Sequence, residues 1–178
     1  MTSLIASVIL TNPIFVVEHP QSKSIPTFSL KASDGNTYTQ ASVAKKDTVI
    51  VFFSNGCPHN PKSAPDMNRL KAMFGTKVAL IGMTNLDAAK AKAYAKELKL
   101  SFPLIADSKG ETIEKFGGAH SLDIALINAK QKKVSKFWEG YDRTVISEML
   151  NAIKSQSGTT IKTDLTLFPA SRQSGCSF

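Results

Sequence analysis

The spacing of apolar and polar residues changes along the chain, and each spacing names an element. Residues 25–40, IPTFSLKASDGNTYTQ, alternate about Asp34-Gly35-Asn36, the pattern of a β-hairpin. DTVIVFFS, residues 47–54, is a continuous β-branched and aromatic run, which predicts a central strand buried on both faces. Over 61–74 the apolar positions Ala64, Met67, Leu70 and Phe74 fall three and four apart, so one face of a helix is apolar, with Pro61 in its first turn. KVALIGMT (77–84) predicts a second buried strand. LDAAKAKAYAKELKL (86–100) predicts a helix turning Ala91, Tyr94, Ala95 and Leu98 inward.

SFPLIADSKG reads as a short strand closed by a turn, and ETIEKFGG as a helical turn stopped at glycine. DIALINAKQKKVSKFWEG is a strand, a basic turn and a strand. DRTVISEMLNAIKS is a closing helix with Ile146, Met149, Leu150 and Ile153 toward the core. From Gly158 the periodicity ends and the chain reads as a polar, flexible tail. Two strand–helix units, an antiparallel ribbon and a last helix imply an α/β domain, a mixed sheet covered on both faces. The expected division is an apolar segment over 1–22, one domain over 23–156 and a tail over 157–178.

Composition narrows the classes. The 178 residues are 42% hydrophobic and 20% charged, a globular balance. The net charge of +8 raises nucleic acid as a partner. The lysines are dispersed, however, without interleaved aromatic residues, so we expect solvated faces and no nucleic-acid partner. Histidines at 19, 59 and 120 have no zinc spacing, and neither metal nor cofactor is expected. Residues 1–22 are apolar from Leu4 to Val17 apart from Thr11, Asn12 and Pro13, yet lack a basic start. They read as a remnant of an export signal or as an extra strand. Pro13 and the short run argue against a membrane-spanning helix, and both a cytoplasmic and an exported location stay open.

Two cysteines, Cys57 and Cys176, do not make a disulfide scaffold. Cys57 stands where the buried strand hands over to a helix, in SNGCPHN. The unsatisfied N–H groups and positive end of a helix favour a thiolate, the reactive form of cysteine. His59 beside it offers a proton or a positive neighbour, or is simply exposed. The competing reading makes Cys57 a small buried residue at a crowded turn.

Four stretches, FSLKASDGNTYT, VIVFFSNGCP with APDMNRL, FPLIADSKGETIEKFG and DIALINAKQKKVSKFWEG, resemble the redoxin branch of the peroxiredoxins, the alkyl hydroperoxide reductase and thiol-specific antioxidant proteins. The resemblance covers about residues 27–140 and implies a thioredoxin-like fold with an N-terminal β-hairpin and a reactive Cys57. It implies that Ser54 hydrogen-bonds thiolate and peroxide. A terminal GCS similar to that of other redoxin-like proteins implies that Cys176 resolves the oxidised Cys57; an unpartnered or dimer-forming tail thiol is the alternative. Two positions depart from the family pattern, Ile50 replacing its proline and Leu122 its arginine, and Asn60 stands where dithiol oxidoreductases keep their second thiol. Arg69 and Arg143 are the nearest replacements for the missing guanidinium. The function so implied is thiol-dependent reduction of hydroperoxides through Cys57, with a hydroperoxide or disulfide substrate. A thioredoxin-like or small-molecule thiol serves as reductant, and a homodimer is possible. The alternative is a catalytically degenerate binding or scaffold module of the same fold.

Overall fold

The computed structural model describes residues 23–178, and the readings made for residues 1–22 lie outside them. Eight strands and five helices follow in the order β1 (Lys23–Ser24), β2 (Ser29–Lys31), β3 (Thr37–Thr39), α1 (Gln40–Val43), β4 (Thr48–Phe53), α2 (Asn60–Phe74), β5 (Ala79–Thr84), α3 (Ala88–Glu97), β6 (Leu104–Ala106), α4 (Glu111–Phe116), β7 (Ile124–Asn128), β8 (Lys133–Trp138) and α5 (Arg143–Ser157). A six-stranded sheet is ordered β1-β8-β7-β4-β5-β6, while β2 and β3 form a separate hairpin. β4 runs parallel to β5 and antiparallel to β7, so it lies at the sheet's centre, as its unbroken apolar run predicts.

Alternation along β4 builds two cores. Val49, Val51 and Phe53 pack with Met67, Leu70 and Phe74 of α2, with Tyr94 of α3 and with Ile146 and Met149 of α5. Ile50 and Phe52 point the other way, to Val43 of α1 and to Ile113 and Phe116 of α4. The inward residues expected on α2 and α3 are all buried; on α5 Leu150 is only half-buried and Val145 is buried in addition. Helices on both faces of a mixed sheet confirm the expected fold class.

Three features go beyond the sequence reading. β1 adds an edge strand against β8. The short α1 starts at a capping box, in which Thr39 and Ser42 satisfy each other's backbone N–H groups. The third is the segment after α5, which is not loose. It turns through a 3₁₀ helix (Leu165–Leu167), buries Phe168 to 2% exposure and crosses back over the end of β4.

Three arginines fasten that segment. Arg69 donates to the Leu167 carbonyl at 2.9 Å and lies over the Phe168 ring. Arg143 donates to the carbonyls of Phe168 and Thr166. Arg172 pairs with Asp142, the cap of α5, at 2.9 Å. Arg69 and Arg143, the nearest candidates to replace the missing guanidinium, thus hold the C-terminal segment.

Candidate active site

β4 ends at Phe53 and α2 starts at Asn60, and the residues between them carry Cys57 over the sheet's end. Its side chain is 3% exposed. The Asn60 N–H donates to the Cys57 carbonyl at 3.1 Å, fixing the turn. Both cysteines are free thiols. The Cys176 backbone N–H donates to Cys57 Sγ at 3.1 Å.

The segment reaches Cys57 by pairing as a strand. Gln173 and Tyr141 exchange both backbone hydrogen bonds, at 2.7 and 2.8 Å. The Gly175 N–H donates to Ser121 O at 2.9 Å, Ser121 N–H to Cys176 O at 2.8 Å, and Phe178 N–H to Ala119 O at 3.2 Å. Glycine is required where the backbones meet. A Cβ on Gly175 would stand 2.5 Å from Ser121 Cβ, and one on Gly140 2.2 Å from the Gln173 carbonyl oxygen. Leu122 adopts a left-handed backbone, φ 73°, though fully buried, a conformation unfavourable for a branched residue. It stands beside Ser121, at the point where the segment docks.

Ser54 is buried beside Cys57, but its hydroxyl donates to the Ser177 carbonyl at 3.0 Å. It thus holds the C-terminal segment. The His59 side chain is exposed, and what His59 gives the thiol is its backbone N–H. The structure therefore gathers Cys57, Cys176 and Ser54, and leaves the imidazole outside.

Beneath the thiol lies a polar network that the sequence reading did not assemble. Ser121 Oγ accepts the Ser54 N–H at 3.0 Å and donates to Asn60 Oδ1 at 2.6 Å. Asn60 Nδ2 donates to Ser54 O at 2.8 Å and to the Tyr94 hydroxyl at 2.9 Å. Asn60 and Ser121 are fully buried, so this network fixes both walls of the site. Asn60, three residues after Cys57, was visible as a replacement for a second thiol. Ser121 gave no signal, being 61 residues from its partner Asn60.

Below the C-terminal segment sits Asp123, fully buried. Its Oδ2 accepts from the Ala119 and His120 N–H groups, and its Oδ1 from the Gly140 N–H. One carboxylate thus fastens both backbone rails, 119–121 and 140–141, on which the segment lies. Burial raises its pKa, against these three hydrogen bonds and the nearby His120.

The electrostatics divide the two thiols. Burial works to raise the Cys57 pKa, but hydrogen bonding from the Cys176 side chain and N–H and from the His59 N–H outweighs it, and the pKa falls below the ordinary thiol value. Cys176 moves upward, mainly because its thiol donates to Cys57, with burial and the Cys57 charge adding to the shift. Of the two neighbouring thiols, Cys57 is thereby the more acidic.

The sequence and fold have known counterparts. The chain is 30% identical over 96 residues to the chloroplastic peroxiredoxin Q of Triticum aestivum, which covers 52% of this chain and 43% of that protein. It is 26% identical over 94 residues to the thioredoxin-like protein YneN of Bacillus subtilis, covering 51% of this chain and 55% of that one. The chain thus spans about half the length of the curated relatives it matches. The solved structure of the Xanthomonas campestris bacterioferritin comigratory protein superposes with a TM-score of 0.60 over 72% of this chain and 90% of that one. At 19% identity that likeness concerns the fold alone. The AhpC/TSA family model matches residues 22–145, and on that match the chain belongs to the AhpC/TSA family, with a thioredoxin-like fold.

Proposed function

We propose that this protein is a two-cysteine, thiol-dependent oxidoreductase that reduces hydroperoxides through Cys57. The observation that carries the reading is the backbone of Cys176 lying on Cys57, with the Cys176 nitrogen 3.1 Å from Cys57 Sγ and both cysteines free. The Cys57 thiolate attacks the terminal oxygen of a hydroperoxide. The O–O bond breaks, the alkoxide takes a proton from water, and Cys57 is left as a sulfenic acid. The Cys176 sulfur then attacks the sulfenic sulfur, water leaves, and a Cys57–Cys176 disulfide forms. An external dithiol returns the pair to the reduced state, losing two electrons and two protons. That reductant is a thioredoxin-like protein or a small-molecule thiol.

The missing arginine and proline lower the expected rate, since no guanidinium meets the charge that develops on the leaving oxygen. The coverage of Cys57 by Gly175 and Cys176 favours a second reading, a closed and inactive module. Hydroperoxide consumption with excess dithiothreitol separates the two. Turnover that Cys57→Ser abolishes supports the enzyme, with Cys176→Ala leaving one oxidation per chain before a slower cycle. Consumption no faster than for Cys57→Ser supports the module.

A further inference from the structure

The C-terminal segment lies over the site as a peptide lies in a binding groove. Its N–H groups at Gln173, Gly175, Cys176 and Phe178 donate to Tyr141 O, Ser121 O, Cys57 Sγ and Ala119 O. Its carbonyls at Gln173, Cys176 and Ser177 accept from the Tyr141 N–H, the Ser121 N–H and the Ser54 hydroxyl. Main-chain pairing of this kind holds an extended chain whatever its side chains, and selection comes from the positions where side chains meet walls. One wall is severe. A Cβ in place of the Gly175 hydrogen would lie 2.5 Å from Ser121 Cβ, 2.8 Å from Ser121 O and 3.1 Å from Cys57 Sγ. At Phe178 the groove opens instead, and the ring forms one side of a cleft with Asn85, Lys109, Ile113 and Ala119.

We infer that this groove is a peptide-binding site, filled in cis by the chain's own C-terminal segment, and that its ligand in trans is an extended segment of another protein bearing glycine immediately before a cysteine. When the resident segment lifts, the backbone groups of Ala119, Ser121 and Tyr141 lose their partners, and a replacement strand restores them. The small residue is demanded by the Ser121 wall, and the cysteine falls where Cys176 now lies. What that cysteine does rests on the reading of Cys57 as the reacting thiol. With the segment lifted and Cys57 present as the sulfenic acid, the partner thiol attacks the sulfenic sulfur, water leaves, and a mixed disulfide forms. A second thiolate of the partner then attacks the partner's own sulfur in the mixed disulfide and releases Cys57. The partner dithiol is oxidised by two electrons, and the Cys57 sulfenic acid is reduced by two.

The test uses the full chain with Gly175→Val, whose side chain cannot pass Ser121, so that the resident segment is displaced. A fluorescein-labelled peptide Gln-Ser-Gly-Ser-Ser-Phe, with serine in place of the cysteine, is titrated by anisotropy. The expected result is binding at least tenfold tighter to the variant than to the parent, with NMR shifts at the Ser121 and Tyr141 amides. The same peptide with alanine for glycine should bind at least tenfold more weakly. Gln173→Pro, which removes the N–H given to Tyr141 O, frees the segment by a second route should G175V not fold. No peptide binding to a folded, displaced variant would overturn the inference, as would equal binding of the alanine peptide or equal binding to parent and variant. The probe has no thiol, so this outcome is independent of peroxide turnover. Binding without turnover would sink only the enzymatic reading.

Discussion

At the residue scale, the chemistry of Cys57 is set by what covers it. A thiol this buried would ordinarily resist ionisation. Here the Cys176 backbone N–H donates to it at 3.1 Å, and hydrogen bonding from the Cys176 side chain adds to the lowering, so two of its donors belong to one residue. Cys176→Ala removes one of those two, the thiol, and keeps the backbone N–H. The Cys57 pKa is expected to rise toward the ordinary value of about 8.5, followed by the ultraviolet absorbance of the thiolate. A pKa unmoved by C176A would mean that the helix start alone activates Cys57.

The shift also enters stability, with a definite sign. Cys57 is depressed in the folded protein, so its contribution is present above the unfolded thiol value and is lost as pH falls through the folded one. Cys176, raised, contributes below the unfolded value and loses that contribution as pH rises through its folded pKa. Asn60 acts by position. Asn60→Ala leaves Tyr94, Ser121 and the Ser54 carbonyl without its amide, at about 1–3 kcal/mol for each group left bare. The expected result is a lower urea midpoint and a Cys57 pKa displaced from the parent's. An unchanged midpoint would mean that water replaces the amide.

At the scale of elements, the site depends on two backbone rails that share one buried carboxylate. Asp123→Asn turns one acceptor into a donor, so one of the two rails, the N–H groups of Ala119 and His120 or that of Gly140, loses its acceptor. We expect faster amide hydrogen exchange at Ser121, Gln173 and Phe178, while the amides of β4 and β5 stay protected. The pH profile should change as well. Asp123 has a raised folded pKa, so its contribution is present below the unfolded carboxylate value, about 3.9. It is lost as pH rises through the folded value, and D123N abolishes that slope. Exchange unchanged at all three amides would show that the rails stand without the carboxylate.

The elements differ in how far the sequence announces them. The runs of β4 and β5 and the apolar face of α2 are local patterns, written in consecutive residues, and they placed Cys57 at its junction. The pairing of Gln173–Phe178 with Ala119–Ser121 and Tyr141 is made by backbone atoms, which leave no mark on residue type except at Gly140 and Gly175. A polar segment with two glycine-dependent contacts therefore reads as a loose tail until the fold brings its partners to it. Asn60 and Ser121 are polar residues that become one network only after β4 and β7 pair. Arg69 and Arg143 were legible as cations, but what they hold was not.

At the scale of the whole molecule, the segment from Gly158 onward ties the ends of α2, α5 and β8 to the site. Phe168 fills a place in the larger core, and the arginines hold the turn before it. The positive charge is thus partly spent on internal carbonyls. No described helix is long and apolar enough to cross a membrane. Gly175 and Cys176 close over Cys57, and under the proposed function access to that thiol depends on opening this closure. The central claim is that Cys57 and Cys176 act as one redox pair, and peptide mapping under non-reducing conditions after one equivalent of hydrogen peroxide tests it most directly. The account predicts a single intramolecular disulfide joining the Cys57 and Cys176 peptides, with no higher oxide on either. Cys57 recovered as sulfinic acid beside a free Cys176, or oxidation confined to Cys176, would contradict it.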